Sequence, residues 1–498
     1  MIKKVTLTSL SLLIIFHFCV AQIHTNTLTG KIENVDFEKN SKIIIKTYGF
    51  NQVRQNRTPI AIYTESINNN GDFKINFSVN ESNFYLEIEA LSGERSIELS
   101  KIIGSTPYLS ESGDSIHLSV NTNRKTANFI GKGADKLNLQ YLVNRVPMLF
   151  ELNGPYYFDK TKFNKRQILN TELKMLNHFM DTRNEVIKSY QELLPTNIYN
   201  RIKIDKMVEI KYHFVHNILF QYLLGGSDEN KKQIEDYIKT SGDNDTIFKR
   251  DDSLEQAPGY PDFLLDYERL NYLVSGSHKQ NPKPYFDWMY NNIKMQYSGV
   301  LRDNLIIAFI LKTNNRYSKS QLQILPEAIE LMTAQENITF LKNYEKKQTS
   351  GKKAYPFIFQ DTTGKKHFMS DYKNKIMVID FWFTGCHGCM KIPPIMKVIM
   401  DKFKQNTEVI FLSVSVDSTK KKWFSGLKSE NYTSPGQIHL KTNGAGQLDT
   451  FIINYNIHSY PKLMIIGKNG VLLSAGPTDP RSDKGEDIIK IVQNALDR

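Results

Sequence analysis

Cysteine is nearly absent from this chain, with three in 498 residues, at positions 19, 386 and 389. So few exclude a disulfide scaffold, and a bridge between residues three apart closes too small a loop to stabilise much through chain entropy. No second Cys/His pair accompanies Cys386 and Cys389, so a four-ligand zinc site is excluded as well. No run reaches the roughly 20 unbroken apolar residues of a membrane-spanning helix. Low-complexity tracts and recognised nucleic-acid motifs are also missing, which leaves no nucleic-acid partner to expect. What is present is ordinary for a folded soluble protein: 40% hydrophobic, 23% charged and 11% aromatic residues, a content that argues against disorder. The length predicts about three domains of roughly 100–200 residues each.

The N-terminus reads as an export signal. Lys3-Lys4 precede an apolar stretch from Val5 to Val20 broken by small polar residues, then Ala21-Gln22, the order of n-region, h-region and cleavage site. Cleavage after Ala21 removes residues 1–21 and Cys19 with them, which predicts a periplasmic or cell-envelope protein. A lipid anchor on Cys19 is the lesser alternative, because Phe16-His17-Phe18 fits poorly as the small-residue box before a lipidated cysteine. The formal charge of +12 is concentrated at the other end: residues 351–498 carry 21 Lys and Arg against 13 Asp and Glu, a net +8. Lys420-Lys421-Lys422 form the densest run. Such a face is either simply solvated or attracts acidic proteins or membrane head groups, so peripheral membrane association stays open.

Between these ends the periodicity changes twice. From Thr27 to about Asn128, short alternating runs such as Phe73-Lys74-Ile75-Asn76-Phe77 follow turn residues, the pattern of an antiparallel sheet or sandwich, and residues 22–133 are assigned to an all-β domain. From Ala134 the period becomes helical: Leu169, Leu173, Leu176 and Met180 share one face, as do Met207, Ile210, Phe214 and Ile218 before Gly225-Gly226. Residues 134–344 are therefore an α-helical domain whose many aromatics are core. Loops are expected at Gly242–Asp245 and from 279 to 284. The polar stretch 345–354 reads as a linker. Residues 355–498 alternate strand and helix, with strands at Pro356–Phe359, Ile376–Phe383, Val409–Val416, Leu463–Ile466 and Val471–Ser474, the order of an α/β layer fold.

The chemistry lies at Cys386-His387-Gly388-Cys389, behind the apolar strand and at the expected opening of a helix. Unpaired N–H groups at a helix N-terminus stabilise a thiolate, which selects Cys386 as the attacking sulfur. Cys389, one turn on, can then displace a partner from a mixed disulfide.

This constellation resembles the thioredoxin superfamily, and more closely its exported TlpA/ResA-like branch, over about residues 355–498. Val378-Ile379-Asp380-Phe381-Trp382 and the CxxC are its centre, supported by Asp361-Thr362-Thr363-Gly364-Lys365, Ser413–Asp417, Trp423, Pro394 and Tyr455–Pro461. The resemblance implies that Cys386 attacks, Cys389 resolves and Asp380 is the buried carboxylate that relays a proton to Cys389. It also implies that Pro394 kinks the active-site helix, and that a cis Pro461, with Tyr460 and Trp382, shapes the surface receiving a partner chain. The Cys386–Cys389 pair itself would be the redox group, with no further cofactor or metal. Two departures bear on potential and partner choice: Gly385 stands where the family usually has Trp, and His387-Gly388 replaces the Gly-Pro of thioredoxin. His387 is either an electrostatic aid to the thiolate or an idle exposed histidine. The front regions resemble more weakly the leader segments of large exported thioredoxin-like proteins.

The expected function is an extracytoplasmic protein thiol-disulfide oxidoreductase, acting as a reductant or in cytochrome maturation and re-poised by an electron donor or acceptor in the envelope. Three other readings compete. A peroxiredoxin-like peroxidase wants Pro and a Thr three residues before its cysteine, whereas Thr384 is two before Cys386. A Cu(I) protein would use Cys386, Cys389 and either His387 or Met390. An envelope binding protein would carry the thioredoxin module incidentally.

Overall fold

The computed structural model describes residues 25–49, 59–93, 95–104, 106–146, 168–224, 228–241, 248, 250–276, 285–313, 318–442 and 446–497. The expected export signal with Cys19, Gly225-Gly226 and the loops at Gly242–Asp245 and 279–284 lie outside these residues.

The N-terminal region contains β1 (Thr25–Glu33), β2 (Lys42–Gly49), β3 (Ala61–Ser66), β4 (Asp72–Ser78), β5 (Asn83–Ser92), β6 (Arg95–Ser96), β7 (Tyr108–Glu111), β8 (Ser115–Asn121) and β9 (Thr126–Lys132). They form one sheet in the order β4-β1-β8-β9 and another in the order β3-β2-β5-β6, with β7 also paired to β5. The alternation in β4 turns Phe73, Ile75 and Phe77 inward and Asp72, Lys74 and Asn76 outward. These side chains meet Ile43, Ile45, Phe84 and Leu86 of the other sheet in one core, which makes the region the all-β sandwich expected.

Helices follow: α1 (Ala134–Arg145), α2 (Ile168–Lys188), α3 (Thr196–Leu224), α4 (Asp228–Ser241), α5 (Tyr260–Val274), α6 (Tyr285–Gln296), α7 (Gly299–Thr313), α8 (Ser318–Leu331) and α9 (Gln335–Gln348). Leu169, Leu176, Phe214 and Ile218 are buried in their common core, and aromatics such as Tyr260, Phe263 and Phe286 fill it. Helix α1 serves two cores. Leu137 and Tyr141 seal the sandwich, while Leu139 and Val143 pack with Tyr85 of β5 and Ile198 of α3.

The stretch 345–354, expected as a linker, is instead folded. Leu341, Tyr344 and Gln348 are buried at helical spacing, so α9 continues through Glu345–Gln348 despite the lysines on its exposed side. The Gln348 side chain donates to the Tyr455 carbonyl at 3.2 Å. Beyond it, Gly351 N–H donates to the Leu472 carbonyl at 2.8 Å and Ala354 N–H to that of Gly470 at 2.9 Å. Composition suggested a free chain because it does not show where backbone donors go.

The last region holds β10 (Ile358–Asp361), β11 (Lys366–Phe368), β12 (Ile376–Trp382), α10 (Pro393–Phe403), β13 (Val409–Ser415), α11 (Lys420–Lys428), β14 (Ile438–Thr442), α12 (Thr450–Asn454), β15 (Lys462–Ile466), β16 (Leu472–Ser474), α13 (Pro480–Asp483) and α14 (Glu486–Leu496). Its sheet has the order β11-β10-β14-β13-β12-β15-β16. Strand β12 is central and buried along its whole length, parallel to β13 and antiparallel to β15. Ile376 and Val378 pack under α10 and α14, whereas Met377, Ile379 and Phe381 pack on the opposite face. The sheet is mixed, with the expected α/β layering.

Candidate active site

A strand buried on both faces emerges at its C-terminal end, and the chain must then turn without losing its polar contacts. Trp382, the last residue of β12, stacks on Tyr432 with ring centres 4.9 Å apart and donates its indole N–H to Ser413 Oγ at 2.7 Å. Asp417, just past β13, captures the next turn. It accepts from Thr384 N–H at 3.2 Å, Thr384 Oγ1–H at 2.7 Å and Ser415 Oγ–H at 2.9 Å. Gly385 N–H donates to the Tyr432 hydroxyl oxygen at 2.8 Å. Gly385 adopts φ +102°, and a Cβ there would meet nothing within 4 Å, so the place of the family's Trp is open space.

The loop so held delivers Cys386 and Cys389, joined in a disulfide with Cα atoms 5.3 Å apart. Both are buried, within a cluster of Trp382, Trp423 and Tyr432 edged by Phe383, Met390 and Tyr460. A continuous helix opening at the cysteines was expected, and the structure differs. Cys389–Lys391 form a 3₁₀ turn and the α-helix starts only at Pro393. Pro393 and Pro394 lack N–H groups, so they suit the first turn of α10 and separate it from the turn before. Pro394 therefore sits in that first turn. The N–H that reaches Cys386 Sγ, at 3.1 Å, is that of Cys389.

The remaining predicted residues surround this pair. The Tyr460–Pro461 peptide is cis, and Pro461 Cδ lies 3.3 Å from where a Cβ on Gly388 would be, so the proline covers the dithiol loop. Tyr460 meets Phe383 edge-on with ring centres 5.5 Å apart, and burial pushes its phenol up. Asp380 is 2% exposed on the α10 side of β12. Its Oδ1 has no hydrogen-bond partner, and burial raises its carboxyl well above the usual range. His387 is exposed, outside the aromatic cluster.

Four residues were not assigned a site role from the sequence: Tyr432 and Arg481 went unmentioned, and Thr384 and Asp417 were noted for other reasons. Thr384, Asp417 and Tyr432 fix the loop, and Arg481 Nη1 approaches the Gly388 carbonyl at 3.5 Å while its guanidinium is held by Asp479. An acid directly after the apolar run Val409–Val416 was a usable signal. Parallel pairing of Trp382 with Ser415 carries Asp417 level with Thr384.

A family model described as thioredoxin-like matches residues 374–472. The thiol-disulfide oxidoreductase ResA of Bacillus thuringiensis (strain Al Hakam) is 35% identical over 120 residues, 23% of this chain and 69% of that protein. The chain belongs to the ResA-type thiol-disulfide oxidoreductases of the thioredoxin superfamily. The thioredoxin-like protein YneN of Bacillus subtilis is 25% identical over 135 residues, 26% of this chain and 75% of its own length. Among solved structures, the thioredoxin domain of a thiol-disulfide oxidoreductase from Bacteroides vulgatus is 20% identical and covers 29% of this chain and 96% of its own, with a TM-score of 0.25. As a ResA-type oxidoreductase the protein carries out thiol-disulfide exchange. Among the described residues no helix is long and apolar enough to cross a membrane.

Proposed function

We propose that the protein is a dithiol reductant working outside the cytoplasm, with Cys386 as nucleophile and Cys389 as resolving thiol. The observation that carries the assignment is the Cys389 N–H aimed at Cys386 Sγ at 3.1 Å, a donor that favours the thiolate on Cys386 over Cys389. The Cys386 thiolate attacks one sulfur of a substrate disulfide. A new S–S bond forms, the substrate bond breaks, and its second sulfur leaves as a thiolate that takes a proton from water. Cys389 then loses its proton, attacks Cys386 Sγ and expels the first substrate sulfur. The substrate gains two electrons and two protons, and the Cys386–Cys389 disulfide is formed.

Asp380 is the group proposed to take the Cys389 proton. Once ionised, a buried carboxylate whose affinity for protons is raised is a stronger base toward a thiol than an exposed one. Pro461, Tyr460 and Trp382 form the surface against which the substrate chain lies. No cofactor beyond the cysteine pair is invoked, and a dithiol donor in the envelope returns the pair to its reduced form. The export-type N-terminus supports that compartment, and cytochrome maturation is one use such a reductant would have there.

Replacing Cys389 with Ala tests the order of attack. Mixed disulfides should accumulate on Cys386 and disappear on reduction, whereas the Cys386→Ala protein should capture none. Capture by Cys386→Ala, or wild-type protein that fails to reduce insulin-type disulfides, would overturn the proposal.

A further inference from the structure

The surface leading to the dithiol carries an excess of positive charge that the fold does not consume. Helix α11 begins with Lys420, Lys421 and Lys422 and has no acid in its first turn. That arrangement opposes the helix dipole, which favours acids at this end. Among the described residues that cost is offset by an ion pair only at Lys422. Its Nζ lies 3.6 Å from Asp417 and 6.0 Å from the centre of the Phe383 ring, so it stands at the lip of the cysteine cluster. Lys420 Nζ lies 3.8 Å from where a Cβ on Gly364 would be. Lys365 in that hairpin turn and Lys366, which opens β11, are exposed. Five lysines therefore run from the hairpin turn across the start of α11 to Phe383.

The nearby acids are occupied internally. Asp361 accepts from Thr363 and His367, Asp417 from Thr384 and Ser415, and Asp479 holds Arg481. Exposed Phe424, two residues after Lys422, stacks on the Trp423 ring and adds an apolar foothold. At Gly385, next to Cys386, an added Cβ would meet nothing within 4 Å, which leaves the approach there open.

We infer that this strip selects substrates whose disulfide is flanked by Asp and Glu. The inference rests on the dithiol-reductant reading above and names the substrate class of the same site. An acidic segment laid along Lys365, Lys366, Lys420 and Lys421 is steered toward the open approach at Gly385, which raises its rate of encounter without altering the exchange chemistry.

The test uses the full chain, reduced and freed of reductant, and three synthetic peptides with the same internal disulfide. Their flanks are Asp/Glu, Ser/Gln or Lys/Arg. Single-turnover reduction should favour the acidic over the neutral peptide by about tenfold at low ionic strength. The ratio should approach one at about 0.5 M salt, where screening is complete within a few ångströms. Combined Lys365→Glu, Lys366→Glu, Lys420→Glu and Lys421→Glu substitutions should bring the low-salt ratio below one. A wild-type ratio near one, a preference for the basic peptide, or a ratio indifferent to salt would each overturn the inference. So would binding to phosphatidylglycerol vesicles without any peptide preference, which would assign the lysines to a membrane surface. Failure to reduce even the neutral peptide would instead sink the reductant reading on which the inference stands.

Discussion

Replacing Asp417 with Ala should loosen the loop that delivers the dithiol, and the size of the effect can be worked from its contacts. The carboxylate is 2% exposed and accepts from three donors, Thr384 N–H, Thr384 Oγ1–H and Ser415 Oγ–H. Hydrogen bonds to a charged group net about 1.5–3 kcal/mol each, giving about 4.5–9 kcal/mol for the three. Removing the carboxylate also recovers several kcal/mol of desolvation cost. Lys422 adds little, being half exposed. The expected loss is about 2–4 kcal/mol, and Asp417→Asn, which keeps an acceptor oxygen, should lose about half of it. Two of the three tryptophans, Trp382 and Trp423, lie in the dithiol cluster. Fluorescence-monitored urea unfolding in a Trp288→Phe background therefore reports on this region of a multidomain chain. Disulfide reduction per folded molecule should fall in the same order, because Thr384 is two residues from Cys386. An Asp417→Ala protein within about 0.5 kcal/mol of its parent would refute this reasoning.

Three further outcomes are expected. In Gly426→Ala the new Cβ would lie 2.5 Å from Thr384 Oγ1 and 2.8 Å from Trp382 Cζ3, so thermal unfolding should show a loss of about 1–3 kcal/mol from overpacking. Lys462 is buried and its ammonium is pulled down to about 7. The unfolded chain then binds one more proton than the folded one between that value and the ordinary 10.5. Stability should rise with pH across that window by up to about 1.4 kcal/mol per unit, a contribution that Lys462→Met should remove from urea titrations. Asp380 behaves oppositely. Its raised carboxyl costs nothing below the unfolded value of 3.8 and destabilises increasingly as pH climbs toward the folded value. Asp380→Asn should thus match wild type in acid and exceed it at pH 8, yet release substrate from the Cys386 mixed disulfide more slowly. Faster release would rule out the proton-accepting role.

The parts of the site that were legible in the sequence are those encoded by neighbours. Ile376–Trp382 is a continuous apolar run and becomes the central strand, and the three-residue spacing of Cys386 and Cys389 sets them in one loop. Strand β14 was missed because its alternation is obscured: Lys441 and Thr442 are buried, against the habit of lysine. The grip of Asp417 on Thr384 spans 33 residues and exists only through the parallel register of β12 with β13. The helix start was misplaced because Pro393 and Pro394 have no N–H to bond back into the preceding turn, so that turn stays 3₁₀ and α10 begins at the prolines.

The folded stretch after α9 bears on how the front of the molecule can influence the back. A free ten-residue tether would let the cysteines sample a radius of roughly 16–19 Å. With Gln348 bonded to Tyr455, and Gly351 and Ala354 bonded across the hairpin that ends in β16, there is no leash to pay out. Whatever the sandwich and helices engage is presented to the dithiol at a set offset, as by a jig. A substrate that touches both must then match a spacing rather than merely arrive within range.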